Sequence, residues 1–282
     1  MAFRIITDSA SDIPQETADQ WNVTVMPIHT RFGEEEYLDG VTLRPPQFFE
    51  KLVETGQIPR TSQITPYEFG QEFQKAEAAG EGVLCITMSA GVSGTCQSAC
   101  AAAAEYGDRV VVIDSRQFCI SLYALVEYAC RCRDAGRTLR QTADLVRDAM
   151  SRVHVISVFA TLEYLKLGGR ISAAAAMAGS LLSIKPVITI TDGVVDVIAK
   201  ARGARKATAR VLDFIRRSGG IDRDMPCCLG FTGVTTDVLT GFLEANAAEY
   251  MDQIRDLPIV PVGATVGTYA GPGAVALGYF NK

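Results

Sequence analysis

Residues 83–95 read Val83-Leu84-Cys85-Ile86-Thr87-Met88-Ser89-Ala90-Gly91-Val92-Ser93-Gly94-Thr95, and this stretch decides the fold class. Its first half is an apolar run of strand length, the pattern of a strand buried on both faces. Its second half is a turn of small and hydroxylated residues, followed by the Ala-rich, helix-favouring stretch Ser98 to Glu105. A strand–turn–helix unit of this kind aims backbone N–H groups and hydroxyls at one point in space. Such a point suits a small oxyanion, a carboxylate or a phosphate.

The sequence around this unit repeats its rhythm. Strands are expected at Phe3–Thr7, Val23–Ile28, Val83–Met88 and Val110–Ile113. Between and after them, helices are expected at Ile13–Gln20, Gln47–Glu54, Pro66–Ala79, Gly94–Tyr106, Gln117–Asp134 and Leu139–Val153. Alternation of this kind builds a parallel sheet with crossover helices. Three of the apolar runs end in polar residues, at Thr7-Asp8-Ser9, Thr87-Met88-Ser89 and Asp114-Ser115. Ligands of parallel α/β sheets lie beyond the carboxyl ends of the strands, so these groups would surround one crevice. Asp8 and Asp114 could equally serve as caps for the segments that follow them. A second hydroxyl-rich segment, Thr61-Ser62-Gln63-Ile64-Thr65-Pro66, precedes a helix in the same half.

The second half changes character. Strands are expected at Val155–Leu162, Val187–Thr191, Val194–Ala199, Cys227–Phe231, Ile259–Val262 and Ala274–Phe280, with a hairpin at Asp192-Gly193. Helices are expected at Ser172–Leu182, Ala204–Ser218 and Thr236–Glu249. The expected architecture is therefore α/β with two lobes, a parallel-sheet α/β domain over residues 1–155 and an α+β domain over 156–282. A ligand would lie between and within them. The segment Ser172–Leu182 consists of Ala, Gly, Ser, Met, Leu and Ile-free small residues, which either leave room for an acyl tail or permit close helix–sheet packing.

Composition narrows the function. The chain has 282 residues, 48% hydrophobic and 21% charged, with a net charge of −5. That balance suits a globular protein and argues against non-specific nucleic-acid binding, which needs a basic surface. No run approaches the ~20 apolar residues of a membrane span. The N-terminus enters a strand without a signal-peptide pattern, so a cytoplasmic location is expected. The eight cysteines lack zinc-site spacing, so no metal is expected and buried free thiols are the simpler account. Gly91-Val92-Ser93-Gly94-Thr95 lacks the last glycine of a nucleophile elbow, and the two histidines, His29 and His154, lie outside segments suited to activating Ser93. No lysine follows the turn as in a P-loop. What remains is a hydroxyl-lined oxyanion site, with a serine-dependent acyl hydrolase or transferase, or a binder of another small acid, as alternatives.

The motifs resemble those of the DegV family. Ile6-Thr7-Asp8-Ser9, the Thr61–Pro66 and Ile86–Thr95 segments and Val112-Ile113-Asp114-Ser115 carry the resemblance in the first half. Leu162–Ser172, Ile184-Lys185-Pro186, Arg202–Ala207 and Gly271-Pro272-Gly273-Ala274 continue it in family order. The resemblance implies a two-domain bacterial fatty-acid-binding protein, with a long-chain fatty acid as ligand, no cofactor and no catalysis of its own. Members of the FakB type present the acid to a fatty acid kinase, which makes acyl-phosphate for phospholipid synthesis. By motif, Thr61 and Ser93 would hold the carboxylate, Arg170 would lie near the head group, and Arg202 would belong to the surface that meets the kinase. The chain departs from the family pattern at Tyr269, where His is usual, and at Gly230-Phe231-Thr232-Gly233. Tyr269 donates a hydrogen bond without titrating near neutrality.

Overall fold

A computed structural model describes residues 2–171, 184–245, 254 and 256–282. The helix expected at Ser172–Leu182 lies outside the described residues, as does the end of the one expected at Thr236–Glu249. The first half runs β1 (Phe3–Asp8), α1 (Gln15–Trp21), β2 (Val23–Met26), β3 (His29–Phe32), β4 (Glu35–Leu38), α2 (Pro45–Thr55), β5 (Arg60–Ser62) and α3 (Pro66–Ala78). It continues through β6 (Gly82–Thr87), α4 (Thr95–Ala103), β7 (Val110–Asp114), α5 (Ile120–Asp134) and α6 (Leu139–Ala149). The second half runs β8 (Val153–Val158), α7 (Glu163–Gly168), β9 (Ile184–Thr191), β10 (Val194–Arg202) and α8 (Ala204–Arg217). It ends with β11 (Cys228–Phe231), α9 (Asp237–Ala245), β12 (Ile259–Pro261), α10 (Ala264–Ala270) and β13 (Val275–Phe280).

The first sheet has the order β2-β1-β6-β7, and every pair in it is parallel. β6 is buried along its whole length, which explains its unbroken apolar run. Register places Thr7 beside Ile86 and Thr87 beside Asp114, so the polar strand ends line up at one edge. The second sheet has the order β10-β9-β8-β13-β11-β12. Its neighbours are antiparallel except β11 and β12. Asp192 and Gly193 both take positive φ at the β9–β10 turn, the geometry of a two-residue hairpin. β8 begins at Val153, so the border expected between residues 155 and 156 falls inside a strand. The apolar core also crosses it, running from Ile5, Leu84 and Val126 into Val155, Val262 and Phe280.

Two elements were not expected. One is a small antiparallel sheet, β4-β3-β5, which carries the Thr61 motif on its edge strand. The other is α10, whose Gly267 lies against the rings of Phe48 and Phe49 on α2. Its sequence, Ala264-Thr265-Val266-Gly267-Thr268-Tyr269-Ala270, is rich in poor helix formers, so tertiary bonds must hold it. Gly263 N–H donates to Asp12 Oδ1 at 2.8 Å. Ala264 and Thr265 N–H donate to the two Asp39 oxygens at 2.8 and 3.0 Å. Ser9 Oγ donates to Asp39 Oδ2 at 2.9 Å. Nearby, Asp8 accepts from Ala10 N–H at 3.1 Å and Met88 N–H at 2.7 Å. Asp114 accepts from Ala90 and Arg116 N–H, so both strand-end carboxylates serve the backbone.

Asp8, Asp12 and Asp39 are all buried, and loss of hydration outweighs these donors. Burial pushes Asp8 up to about 7 and raises Asp12 and Asp39 above the ordinary carboxylate value. His29 is also raised, because Glu68 and Glu36 each bond its ring at 2.9 Å and together outweigh the desolvation that opposes them. A raised folded-state value gives stability that is full below the unfolded pKa and lost as pH rises through the folded one. For Asp8 that window runs from the usual carboxylate pKa to about 7. The melting temperature should therefore fall between about pH 5 and about pH 8, and Asp8→Asn should flatten that slope. An unchanged slope in that variant would remove Asp8 as its source. Asp39→Ala strands two N–H groups of α10 and should cost about 2 kcal/mol or more in urea unfolding.

Candidate functional site

The two hydroxyl segments meet beyond the carboxyl edge of the first sheet. Gln63, just past β5, reaches across with its amide Nε2 and donates to Ser98 Oγ on α4 at 2.9 Å. Residue 94 must be glycine here, because a Cβ would overlap the Gln63 amide. The turn after β6 is fixed from the other lobe, since Ser89 Oγ donates to Gly193 O of the β9–β10 hairpin at 2.7 Å. α10 supplies Tyr269, whose OH lies 2.7 Å from Thr61 Oγ1. Gly168 at the end of α7 packs so close to the Tyr269 ring that any side chain there would collide with it. The Arg170 guanidinium then stacks over that ring at 5.1 Å from its centroid and donates to Gly168 O at 2.8 Å.

These groups surround a cavity of about 300 Å³. Thr61, Ser62, Gln63, Ser93, Arg170 and Tyr269 line its polar end. Phe118, Phe159, Leu165, Ile188, Val195 and Val266 line its apolar body. Phe159, Leu165, Ile188, Val195 and Ala270 belong to one apolar cluster, so the cavity is a space within a packed core rather than a surface groove. Its hydroxyls are arranged in pairs. Thr61 bonds Tyr269, and Ser93 Oγ lies 2.9 Å from Thr95 Oγ1 while accepting from Thr95 N–H. In a hydroxyl–hydroxyl pair one O–H is donated within the pair and the other stays available. Each pair thus retains one donor for an anion, and Arg170 is the one charged side chain among the described lining residues.

The arrangement binds more readily than it reacts. Activation of Ser93 would need a base within hydrogen-bond reach. His29 is held by Glu36 and Glu68, and His154 lies in β8 beside Tyr279, its pKa lowered by burial. Neither lines the cavity, and no Asp or Glu does so among the described residues. Of the residues expected from the sequence, Thr61, Ser93 and Arg170 come together at the polar end. Arg202 does not. It is exposed at the far end of β10, seven residues beyond the cavity-lining Val195, a distance on the order of 20 Å along the strand. Thr265, Val266, Tyr269 and Ala270 of α10 also line the cavity, and their spacing is that of one helix face. Of these, sequence reasoning had noticed Tyr269 alone, as a departure from a pattern.

Comparison with known proteins places this geometry. The DegV family model matches residues 2–282. A DegV domain-containing protein of Caldanaerobacter subterraneus is 31% identical, over 99% of this chain and 98% of that protein. A solved DegV family protein from Thermus thermophilus, described for its fatty acid binding, is 29% identical over the whole of both chains, with a TM-score of 0.90. A stearic acid-binding protein from Eubacterium ventriosum is 25% identical over 99% of this chain and 98% of that one, with a TM-score of 0.87. With motifs, fold and relatives in agreement along its length, the chain belongs to the DegV family.

Proposed function

We propose that this protein binds one long-chain fatty acid non-covalently and offers its carboxylate to a separate fatty acid kinase. The carboxylate lies at the polar end of the cavity, against Thr61, Ser93, Tyr269 and Arg170, and the tail fills the apolar body. The observation that carries this reading is a single cavity with hydroxyl pairs at one end and a closed apolar wall beyond. Each buried methylene contributes about 0.8 kcal/mol, so the tail supplies most of the affinity and the head-group contacts orient it. Hydrogen bonds to the carboxylate are charge-assisted, which makes two or three hydroxyls sufficient. The fatty acids named for the relatives from Thermus thermophilus and Eubacterium ventriosum support the same ligand class here. No helix among the described residues is long and apolar enough to cross a membrane, in keeping with the proposed cytoplasmic carrier.

Arg202 and its neighbours form the proposed partner surface. Arg202, Arg205, Lys206 and Arg210 are all exposed at the end of β10 and along α8, in a chain of net charge −5. A local basic face on an acidic protein suits an acidic partner surface and would speed its encounter.

Mass spectrometry of lipid extracted from the purified protein should find a long-chain fatty acid. Thr61→Val and Ser93→Ala should each weaken hexadecanoic acid binding about tenfold, and Tyr269→Phe about fivefold, from loss of a charge-assisted bond. Unchanged affinity in all three would refute the head-group assignment, and hydrolysis of a simple ester lost in Ser93→Ala would favour an acyl hydrolase instead. Arg202→Ala should leave hexadecanoic acid affinity within about twofold while slowing acyl-phosphate formation by the kinase severalfold. Equal phosphorylation of the variant and the parent would remove Arg202 from the partner surface.

A further inference from the structure

A second, smaller void of about 40 Å³ lies beyond the apolar body of the main cavity. Phe118, Phe159, Ile188, Val266 and Ala270 line both spaces and form the wall between them. The far side of the void is the inner face of the second sheet, with Ser157 on β8, Thr189 on β9, Phe231 on β11 and Ala276 on β13.

The chemistry of that far side is specific. Three hydroxyl residues border the void, and each is already engaged by its own sheet. Ser157 Oγ donates to Val275 O at 2.8 Å, and Thr189 Oγ1 donates to Val155 O at 2.7 Å. Thr232 Oγ1 accepts from Ala274 N–H at 2.7 Å. A buried water needs two to four polar partners, and these walls offer none that is free of a backbone bond. Size does not exclude water, since about 10–15 Å³ is enough for one molecule. The void is therefore suited to hydrocarbon by its chemistry.

We infer that this void is the end-stop of the acyl site: it receives the terminal carbons of the longest tails and so sets the chain length the protein prefers. The inference rests on the fatty-acid reading above and goes beyond it by naming the residues that measure the tail. Room for roughly three water-sized groups corresponds to about three terminal carbons. Each methylene that enters gains roughly fourfold in affinity, so a site with this annex favours long acids over short ones steeply. Ala276 sets the floor, because a larger side chain there projects into the void. Ile190, which also lines it and is partly exposed, sets a side wall that can be cut back without emptying the deep core.

The test is a chain-length profile on the full chain, using saturated acids of 12, 14, 16, 18 and 20 carbons to displace a fluorescent fatty acid. Ala276→Val should lower affinity for the 18-carbon acid about tenfold or more while leaving the 12-carbon acid within about twofold. Ile190→Ala should move the profile the other way, raising the 20-carbon acid about fourfold relative to the 12-carbon acid. If Ala276→Val fails to fold by circular dichroism, the Ile190→Ala profile decides alone. A profile that stays fixed in the folded variants, or that drops equally at every length, overturns the inference. A parent protein that binds none of the five acids would instead overturn the fatty-acid reading itself.

Discussion

Three backbone N–H groups at residues 263–265 end on the buried carboxylates of Asp12 and Asp39, and these bonds join the two halves of the chain at the cavity wall. Asp12 and Asp39 belong to the first lobe, while α10 arrives more than 220 residues later in sequence. α10 has only seven residues and little intrinsic helical tendency. Without an anchored first turn it has no reason to hold Tyr269 over Thr61 or Val266 against the apolar body. Buried carboxylates suit this task because each presents two acceptor oxygens to several donors at once. Their raised proton affinity is the cost of placing them where water cannot reach.

The same geometry sorts the protein's hydroxyls into two groups. Ser11, Ser89, Ser115, Ser157 and Thr189 each donate to a backbone carbonyl, so they hold loops and strands and leave no O–H for a ligand. Thr61 with Tyr269, and Ser93 with Thr95, bond each other instead. Those pairs keep a free donor, and they sit where the two lobes meet. A hydroxyl-rich sequence alone does not distinguish the groups. The distinction comes from which oxygen finds a carbonyl within reach, and that is a property of the folded chain.

This explains how far the sequence could be read. The parallel sheet and its ligand edge were legible because β1, β6 and β7 are apolar runs ending in polar residues, a pattern set by burial on both faces. Thr61, Ser93 and Arg170 were legible through motifs that resemble a known family, and they do converge on one cavity. The small sheet was not legible. Its strands are three or four residues long and carry Arg31, Glu35 and Glu36, so period-2 alternation never gathers enough repeats to register. α10 escaped for the opposite reason, since its Thr, Val and Gly residues argue against a helix until Asp12 and Asp39 cap it. Asp39 precedes Gly40 in what reads as an ordinary turn dipeptide. Nothing local announces that its carboxylate is buried beneath a distant helix.

On the proposed reading, the weakness of charge at the site becomes informative. A buried ammonium or guanidinium facing a carboxylate would bind it tightly, but separating such a pair later leaves each charge uncompensated in a poorly hydrated space. Arg170 avoids this by lying exposed on the rim, stacked on Tyr269 rather than sunk below it. Solvent screens its attraction, so it steers a carboxylate toward the mouth more than it retains one. Retention then falls to the tail, through contacts that are numerous, individually small and indifferent to the state of the head group. A carboxylate held by neutral hydroxyls can be approached and modified by a partner while the tail stays seated. That division of labour, affinity in the hydrocarbon and accessibility at the acid, is what a carrier requires and what a hydrolase, with its base beside the nucleophile, does not.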